Sequence, residues 1–520
     1  MSLLDSIIFI TYGLVIVFIG IYFSRAKRGE DKNSTDYFLA SKSLPWWLIG
    51  PSIIAANISA EQFIGMSGSG YAIGLGIATY EWLAALILIV VAKFFLPVFV
   101  KKKIFTMPQF LSIRYDNRIK TILAVFWIIL FIFVNLTSIL YLGAITLQTI
   151  FGIRLIYCIW GLAMFTLLYT TSGGLKAIAT TDIIQVFFLI VGGLLTTFIA
   201  LNVVSNGEGP FRGFSELISR VPEKFHMIIH KENPNFQYLP GIRVIFGGIW
   251  IAGIYYFGAN QYIIQKALGS KSLQEAQRGM LFSGYIKLIL PIIVVVPGII
   301  AFSLYADISK PDEAYPWLLN RFVPTGIKGL VFAALIAAIV SSLGAIINST
   351  ATIFTMDIFK NYINPNASEK SMVTTGRISG ITSALIATAV APFLGRIDQA
   401  FQFIQEYTGM ISPGICAVFI LGIFWRKTTS NAALWGIAVS IIASVGLKIW
   451  FSGIPFLDQM VFGFIIVIIF MIVFSLVEGK FADDQKAFKI TTSLFITDKV
   501  FNVFATVILI IFLVLYTAFW

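Results

Sequence analysis

Fourteen runs of apolar residues, each long enough to cross about 30 Å of hydrocarbon, occupy most of this chain. They lie near residues 5–24, 46–66, 72–100, 118–149, 154–173, 181–204, 238–265, 279–304, 328–358, 371–393, 397–423, 430–451, 458–477 and 497–519. A backbone in lipid has to satisfy its own N–H and C=O groups, which confines such runs to helices. The expected fold class is an all-α polytopic membrane protein of about 14 transmembrane helices. Only 12% of the residues are charged, against roughly 25% in soluble domains, and no soluble domain is expected before or after the membrane part. The N-terminus lacks a positive n-region and a small-residue cleavage site, so it reads as a retained first span.

The net charge of +12 does not point to nucleic acid, because the basic residues gather in short loops between the runs. One set of loops holds Arg25, Lys27, Arg28, Lys32 and Lys42; Lys101, Lys102 and Lys103; Lys266, Lys271 and Arg278; and Arg426 and Lys427. The opposite set is sparse, so the rich set is assigned to the cytoplasm. An even number of spans then places both termini outside. The two longest loops, 205–237 and 305–327, fall on that outer face and suit short interfacial helices. His226 and His230 in the first lack partners for a metal site, and Cys158 and Cys416 lie singly in apolar runs; none receives a role.

Two runs are broken by polar and small residues. Residues 46–71 carry Asn57, Ser59, Glu61 and Gln62 in mid-span, and 246–265 carry Gly253, Gly258, Asn260 and Gln261. Each opens a block of five spans, 46–204 and 238–423, the spacing of inverted repeats around a site near the bilayer midplane. An unwound segment frees backbone carbonyls, and a hard cation such as sodium needs several oxygens to replace its water. Ala338, Ser341 and Ser342 share one helical face and supply the oxygens the first break lacks. A serine pair alone more often bonds its own backbone, so this element depends on the partner segment.

Ionisable residues within spans are functional candidates. Glu81, Asp182, Lys287, Asp357 and Glu406 qualify, with Glu81 and Lys287 in the middle thirds of their runs. With Asn57, Gln62 and Gln405 they offer donors and acceptors to a neutral polyol, and Tyr80, Tyr256 and Phe257 offer stacking surfaces. A purely structural Glu81–Lys287 bond is the alternative.

The stretches DYFLASKSLPWW, AANISAEQFIGMSGSGY, TTDIIQVFF, NQYIIQKAL, VFAALIAAIVSS, NSTATIFTMDI and FQFIQEYTGMISPG resemble the solute:sodium symporter family, in its bacterial sodium/galactose and sodium/glucose branch. The resemblance implies the amino-acid/sodium-symporter-type fold: ten core helices in inverted five-helix repeats with two broken helices, one extra helix before and three after. The divisions are 1–45, 46–204, an outer loop at 205–237, 238–423, and 424–520. It implies a sodium site of Ala55, Ile58 and Ala338 carbonyls with Ser341 and Ser342 hydroxyls, and Asp182 on the ion's inward path. Ala338 lacks the hydroxyl of relatives with a second ion site, which favours one ion per cycle. The implied sugar site is Asn57, Gln62, Glu81, Lys287 and Gln405, with Tyr256 stacking as the inner gate and Tyr80 and Phe401 near the outer one. Three positions depart from the galactose pattern: Ala84 replaces a serine, Gly253 an asparagine and Phe257 a tryptophan. The implied activity is sodium-driven sugar import across a bacterial inner membrane, with sodium as coupling ion and neither organic cofactor nor catalysis. Inositol or sialic acid as cargo, a non-transporting sugar sensor, and a homodimer stay open at this point.

Overall fold

The computed structural model describes residues 2–24, 33–59, 61–394, 400–479, 486–488 and 490–520. Among these there is no β-strand, only an isolated bridge between Leu44 and Ser270. The main helices are α1 (Leu3–Ser24), α2 (Trp46–Asn57), α3 (Met66–Ala72), α4 (Thr79–Phe94), α5 (Asn117–Leu130), α6 (Thr137–Phe151) and α7 (Leu155–Val204). There follow α8 (Gly248–Ile254), α9 (Gln261–Leu268), α10 (Leu273–Ser303), α11 (Ile327–Ile353), α12 (Glu369–Val390), α13 (Ala400–Phe424), α14 (Ser430–Trp450), α15 (Phe456–Glu478) and α16 (Lys499–Ala518). Ten helical segments among the described residues are long and apolar enough to cross a membrane, and three shorter apolar ones accompany them, Leu155–Leu168, Arg243–Ala259 and Thr408–Phe424.

Both expected breaks are present. The first helix ends at Asn57, and Ile58 is extended at φ −78°, ψ 100°. A wide turn over Glu61–Gly65 then leads into α3. The second helix loosens over Tyr255–Ala259, and Asn260 turns extended at φ −81°, ψ 123° before α9. A further reversal inside α7 occurs at Gly174, whose φ of 63° suits glycine and whose missing side chain admits the Tyr37 carbonyl, 2.3 Å from where a Cβ would stand. It separates the two spans expected at 154–173 and 181–204. Short helices Pro210–Arg220 and Ala314–Phe322 occupy the two long loops, as expected.

Helix α10 packs against α2, α3 and α4 and positions much of the site. Ser283 donates to the Gly50 carbonyl at 3.1 Å, and the Trp82 indole N–H donates to the Leu288 carbonyl at 3.2 Å. At Gly298 a Cβ would stand 1.9 Å from the Ser67 carbonyl oxygen, so the backbones of α3 and α10 meet directly. Helix α11 is buried along nearly its whole length and packs on α1 and α7. By contrast α15 and α16 expose Phe462, Ile469, Phe504 and Leu513, a surface fit for lipid rather than water. Lys266, grouped above with loop charges, is corrected here: it lies in α9 and is 1% exposed.

Enlarging Gly298 should force α3 off α10. Overpacking of this kind costs about 1–3 kcal/mol, so Gly298→Val is expected to melt several degrees below the parent protein in detergent. An unchanged melting temperature would mean the two backbones do not meet there.

Candidate ion and solute site

The break after α2 directs groups two ways. Ser342 of α11 donates its hydroxyl to the Ala55 carbonyl at 3.0 Å and to the Ile58 carbonyl at 3.2 Å. Those two oxygens and the hydroxyl thus converge, and Ala338 stands one turn away on α11, 1% exposed. An all-oxygen cluster of this composition suits a hard monovalent cation. Ser341, the other expected ligand, instead donates to Asp182 on α7. The same carboxylate accepts from Ser52 on α2 and from Lys266 on α9, the latter at 3.2 Å with both side chains at most 1% exposed. Asp182 is therefore neutralised from within the protein, beside the oxygen cluster.

Asn57, between Ala55 and Ile58 in sequence, turns the other way. Its side-chain oxygen accepts from the Lys287 ammonium, and its amide donates to the Tyr256 hydroxyl at 3.1 Å. Tyr256 also accepts from Tyr262 of α9 at 2.7 Å, so the bond from Asn57 ties the first broken helix to both halves of the second. Lys287 pairs with Glu81 at 2.7 Å, the two side chains 1% and 2% exposed. Asn57, Glu81, Tyr256 and Lys287 line a cavity of about 80 Å³, room for several water-sized groups at about 10–15 Å³ each.

Eight of the nine expected solute residues line this one cavity: Asn57, Gln62, Tyr80, Glu81, Tyr256, Phe257, Lys287 and Gln405. The ninth, the Phe401 side chain, lies outside the described residues. Gln62 Oε1 is buried with no hydrogen-bond partner among the described residues, an acceptor facing a site. The Glu81–Lys287 bond raised as a structural alternative does form, and it forms on the cavity wall. Glu406 is elsewhere, paired with Lys448 at 3.0 Å and half exposed, and Asp357 pairs with Lys120 at 3.3 Å.

Sequence reasoning missed Ser52 and Lys266 beside Asp182, and Thr408 on the cavity wall. For Lys266 a signal existed: Gln261 and Gln265 precede it, and all three are buried. Gln265 donates to the Phe38 carbonyl and Thr352 and accepts from Ser349, so the whole polar segment belongs to the interior.

A polar cavity walled by two interrupted helices inside an apolar bundle defines a secondary transporter. The chain belongs to the sodium:solute symporter family, which it matches over residues 37–440, and it is accordingly a multi-pass membrane protein whose coupling ion is sodium. It is 50% identical to the sodium/glucose cotransporter of Vibrio parahaemolyticus, across 100% of this chain and 99% of that one. It is 32% identical to human sodium/myo-inositol cotransporter 2, over 84% of this chain and 68% of the relative. Its fold matches that of a Na+-coupled sialic acid symporter solved in a substrate-bound outward-open state, with a TM-score of 0.80 at 24% identity, covering 92% of this chain and 98% of the other. Nothing in these likenesses supports the homodimer.

Removing one partner of a buried ion pair strands the other, at about 3–5 kcal/mol. Lys266→Met is expected to melt well below the parent, and adding Asp182→Asn to it should recover most of the loss. Equal melting temperatures for the single and double variants would dissolve the pair's assigned role.

Proposed function

We propose that this protein imports a neutral monosaccharide of the glucose or galactose kind together with sodium, by alternating access. The observation that carries this reading is the divided use of one break: Ala55 and Ile58 carbonyls face Ser342, while Asn57 faces the cavity. Sodium bound by the Ala55, Ile58 and Ala338 carbonyls and the Ser341 and Ser342 hydroxyls fixes the break, and so fixes the donor and acceptor that Asn57 presents to the sugar. Asn57, Gln62, Glu81, Lys287 and Gln405 bond the hydroxyls. Tyr256 and Phe257 close the inner side, and Tyr80 and Phe401 the outer. Lys287 is already matched by Glu81, which favours an uncharged solute over an acid.

Asp182 takes over the ion on its way inward. One charge falling through about 100 mV contributes about 2.3 kcal/mol, and a tenfold sodium ratio about 1.4 kcal/mol. Together they support roughly 500-fold accumulation in a one-ion cycle.

The proposed architecture has fourteen crossings, with repeats at 46–204 and 238–423, an extra helix within 1–45, an outer loop at 205–237 and three helices within 424–520. Both termini face away from the cytoplasm of a bacterial inner membrane, on the strength of the loop charges. Ser2→Cys and Trp520→Cys should react with a membrane-impermeant maleimide in intact spheroplasts; labelling only after lysis would invert the topology.

In proteoliposomes under an inward sodium gradient, Ser342→Ala should abolish sodium-dependent sugar uptake while eluting and melting like a folded protein. Lys287→Ala should also stop uptake and raise the sugar's Kd by about tenfold or more. Undiminished uptake by Ser342→Ala would remove the ion cluster from the mechanism, and undiminished sugar affinity in Lys287→Ala would return that lysine to a structural role.

A further inference from the structure

The solute cavity has one apolar corner. Its polar groups come from the first break, α10 and α13, and from Tyr80 and Glu81 in the first turn of α4 and Tyr256 of the second break. The corner between α4 and α8 is formed by Ala84 and Ile87 of the one, and Ile249, Ala252 and Gly253 of the other. None of these five side chains carries a polar atom. Their spacings explain why they act together: Ala84 and Ile87 follow Tyr80 at i+4 and i+7, and Ala252 and Gly253 follow Ile249 at i+3 and i+4, so each set is one helix face. The two faces touch, since a Cβ on Gly253 would stand 2.3 Å from Ile87 Cδ1. The isoleucine methyl therefore takes the place a longer residue at 253 would need, while Ala84 and Ala252 leave room at the mouth of the corner.

A hydroxyl turned into this corner, past Tyr80 and Glu81 one turn earlier on α4, would lose its water among apolar side chains, whereas a methyl group there would gain burial. On the sugar-import reading Tyr256 and Phe257 stack on the C–H face of the ring, which leaves this corner to a substituent. We propose that the preferred cargo is a 6-deoxyhexose, with its exocyclic methyl group in the Ala84–Ile87–Ile249–Ala252 corner and its ring hydroxyls on the polar groups. This rests on the sugar-import reading and narrows it from monosaccharides in general to those with an apolar edge.

Matched pairs that differ only in the hydroxyl at carbon 6 test it: D-fucose against D-galactose, 6-deoxy-D-glucose against D-glucose, L-fucose against L-galactose, and L-rhamnose against L-mannose. Sodium-driven uptake into proteoliposomes of the purified full chain is measured for each. In the pair whose ring stereochemistry the site accepts, the deoxy sugar should have a KM about tenfold to a hundredfold below its partner. Ala84→Ser, and independently Ala252→Ser, should draw that ratio toward one by giving the hydroxyl a partner. A hexose that equals or beats its deoxy partner overturns the proposal and leaves sugar import standing. So does a ratio that neither serine variant moves. If no monosaccharide enters under the sodium gradient, although the protein elutes and melts as folded, sugar import itself falls.

Discussion

A helix interrupted inside hydrocarbon has to find partners for the backbone groups it frees, and the break at Ile58 is where this fold is obliged to spend its polar side chains. The cost of an unpaired carbonyl in that setting is several kcal/mol, so the surrounding helices are selected by what they bring to it. Helix α11 brings Ser342 to the freed Ala55 and Ile58 carbonyls, while α10 brings Lys287 and the second break brings Tyr256 to the side chain of Asn57. Because α10 also fixes α2 and α4 through Ser283 and Trp82, the groups that satisfy the break are held at set positions. An ion held by Ala55 and Ile58 and a solute held by Asn57 then share one short piece of backbone, and neither can settle without constraining the other.

Two buried ion pairs flank the break, Lys287–Glu81 on the cavity side and Lys266–Asp182 on the side of Ser341. Each lysine lies within the bundle, where a lone ammonium would be costly, and each is matched by one carboxylate. The interior is thereby close to electrically neutral around the oxygen cluster. A single sodium would be the principal uncompensated charge there, which fits the absence of a hydroxyl at Ala338 and a cycle that moves one ion.

Much of this was legible in the sequence because lipid permits few alternatives. Apolar run length gives the helices, and polar residues inside runs mark the breaks, so Asn57, Gln62 and Asn260 announced themselves by being costly where they stand. Eight of the residues expected to meet the solute, scattered from Asn57 to Gln405, come together in one cavity. What was not legible follows from the same rules applied at a helix end. Lys266 sits near Lys271 and Arg278 in sequence, and by charge alone it reads as one more loop residue; the preceding Gln261 and Gln265 hint at an interior segment, and packing shows α9 turning Lys266 inward to Asp182. The partition between Ser341 and Ser342 was equally hidden. Adjacent residues on a helix point about 100° apart, so two neighbouring serines can take different hydrogen-bond partners, and which one meets the broken helix depends on the rotation of α11.

That partition bears on coupling. Asp182 receives Ser52 from α2, Ser341 from α11 and Lys266 from α9, so one carboxylate on α7 joins both broken helices to the helix that carries Ser342. Ser341 donates to Asp182 Oδ1, while Ser52 and Lys266 occupy Oδ2; on the proposed ion path the Ser341 hydroxyl keeps lone pairs for sodium, and Oδ1 is the oxygen to which the ion passes while Lys266 stays on Oδ2. A tethered ammonium competing for the same carboxylate would weaken the hold of Asp182 on sodium without removing the site. That suits a residue whose part is to pass an ion on, since a carboxylate without an internal partner would bind sodium more tightly and release it more slowly. Held by three other helices, the same group also links departure of the ion to rearrangement of those helices, which is the physical requirement for a cycle in which the ion's release and the protein's movement are not independent events.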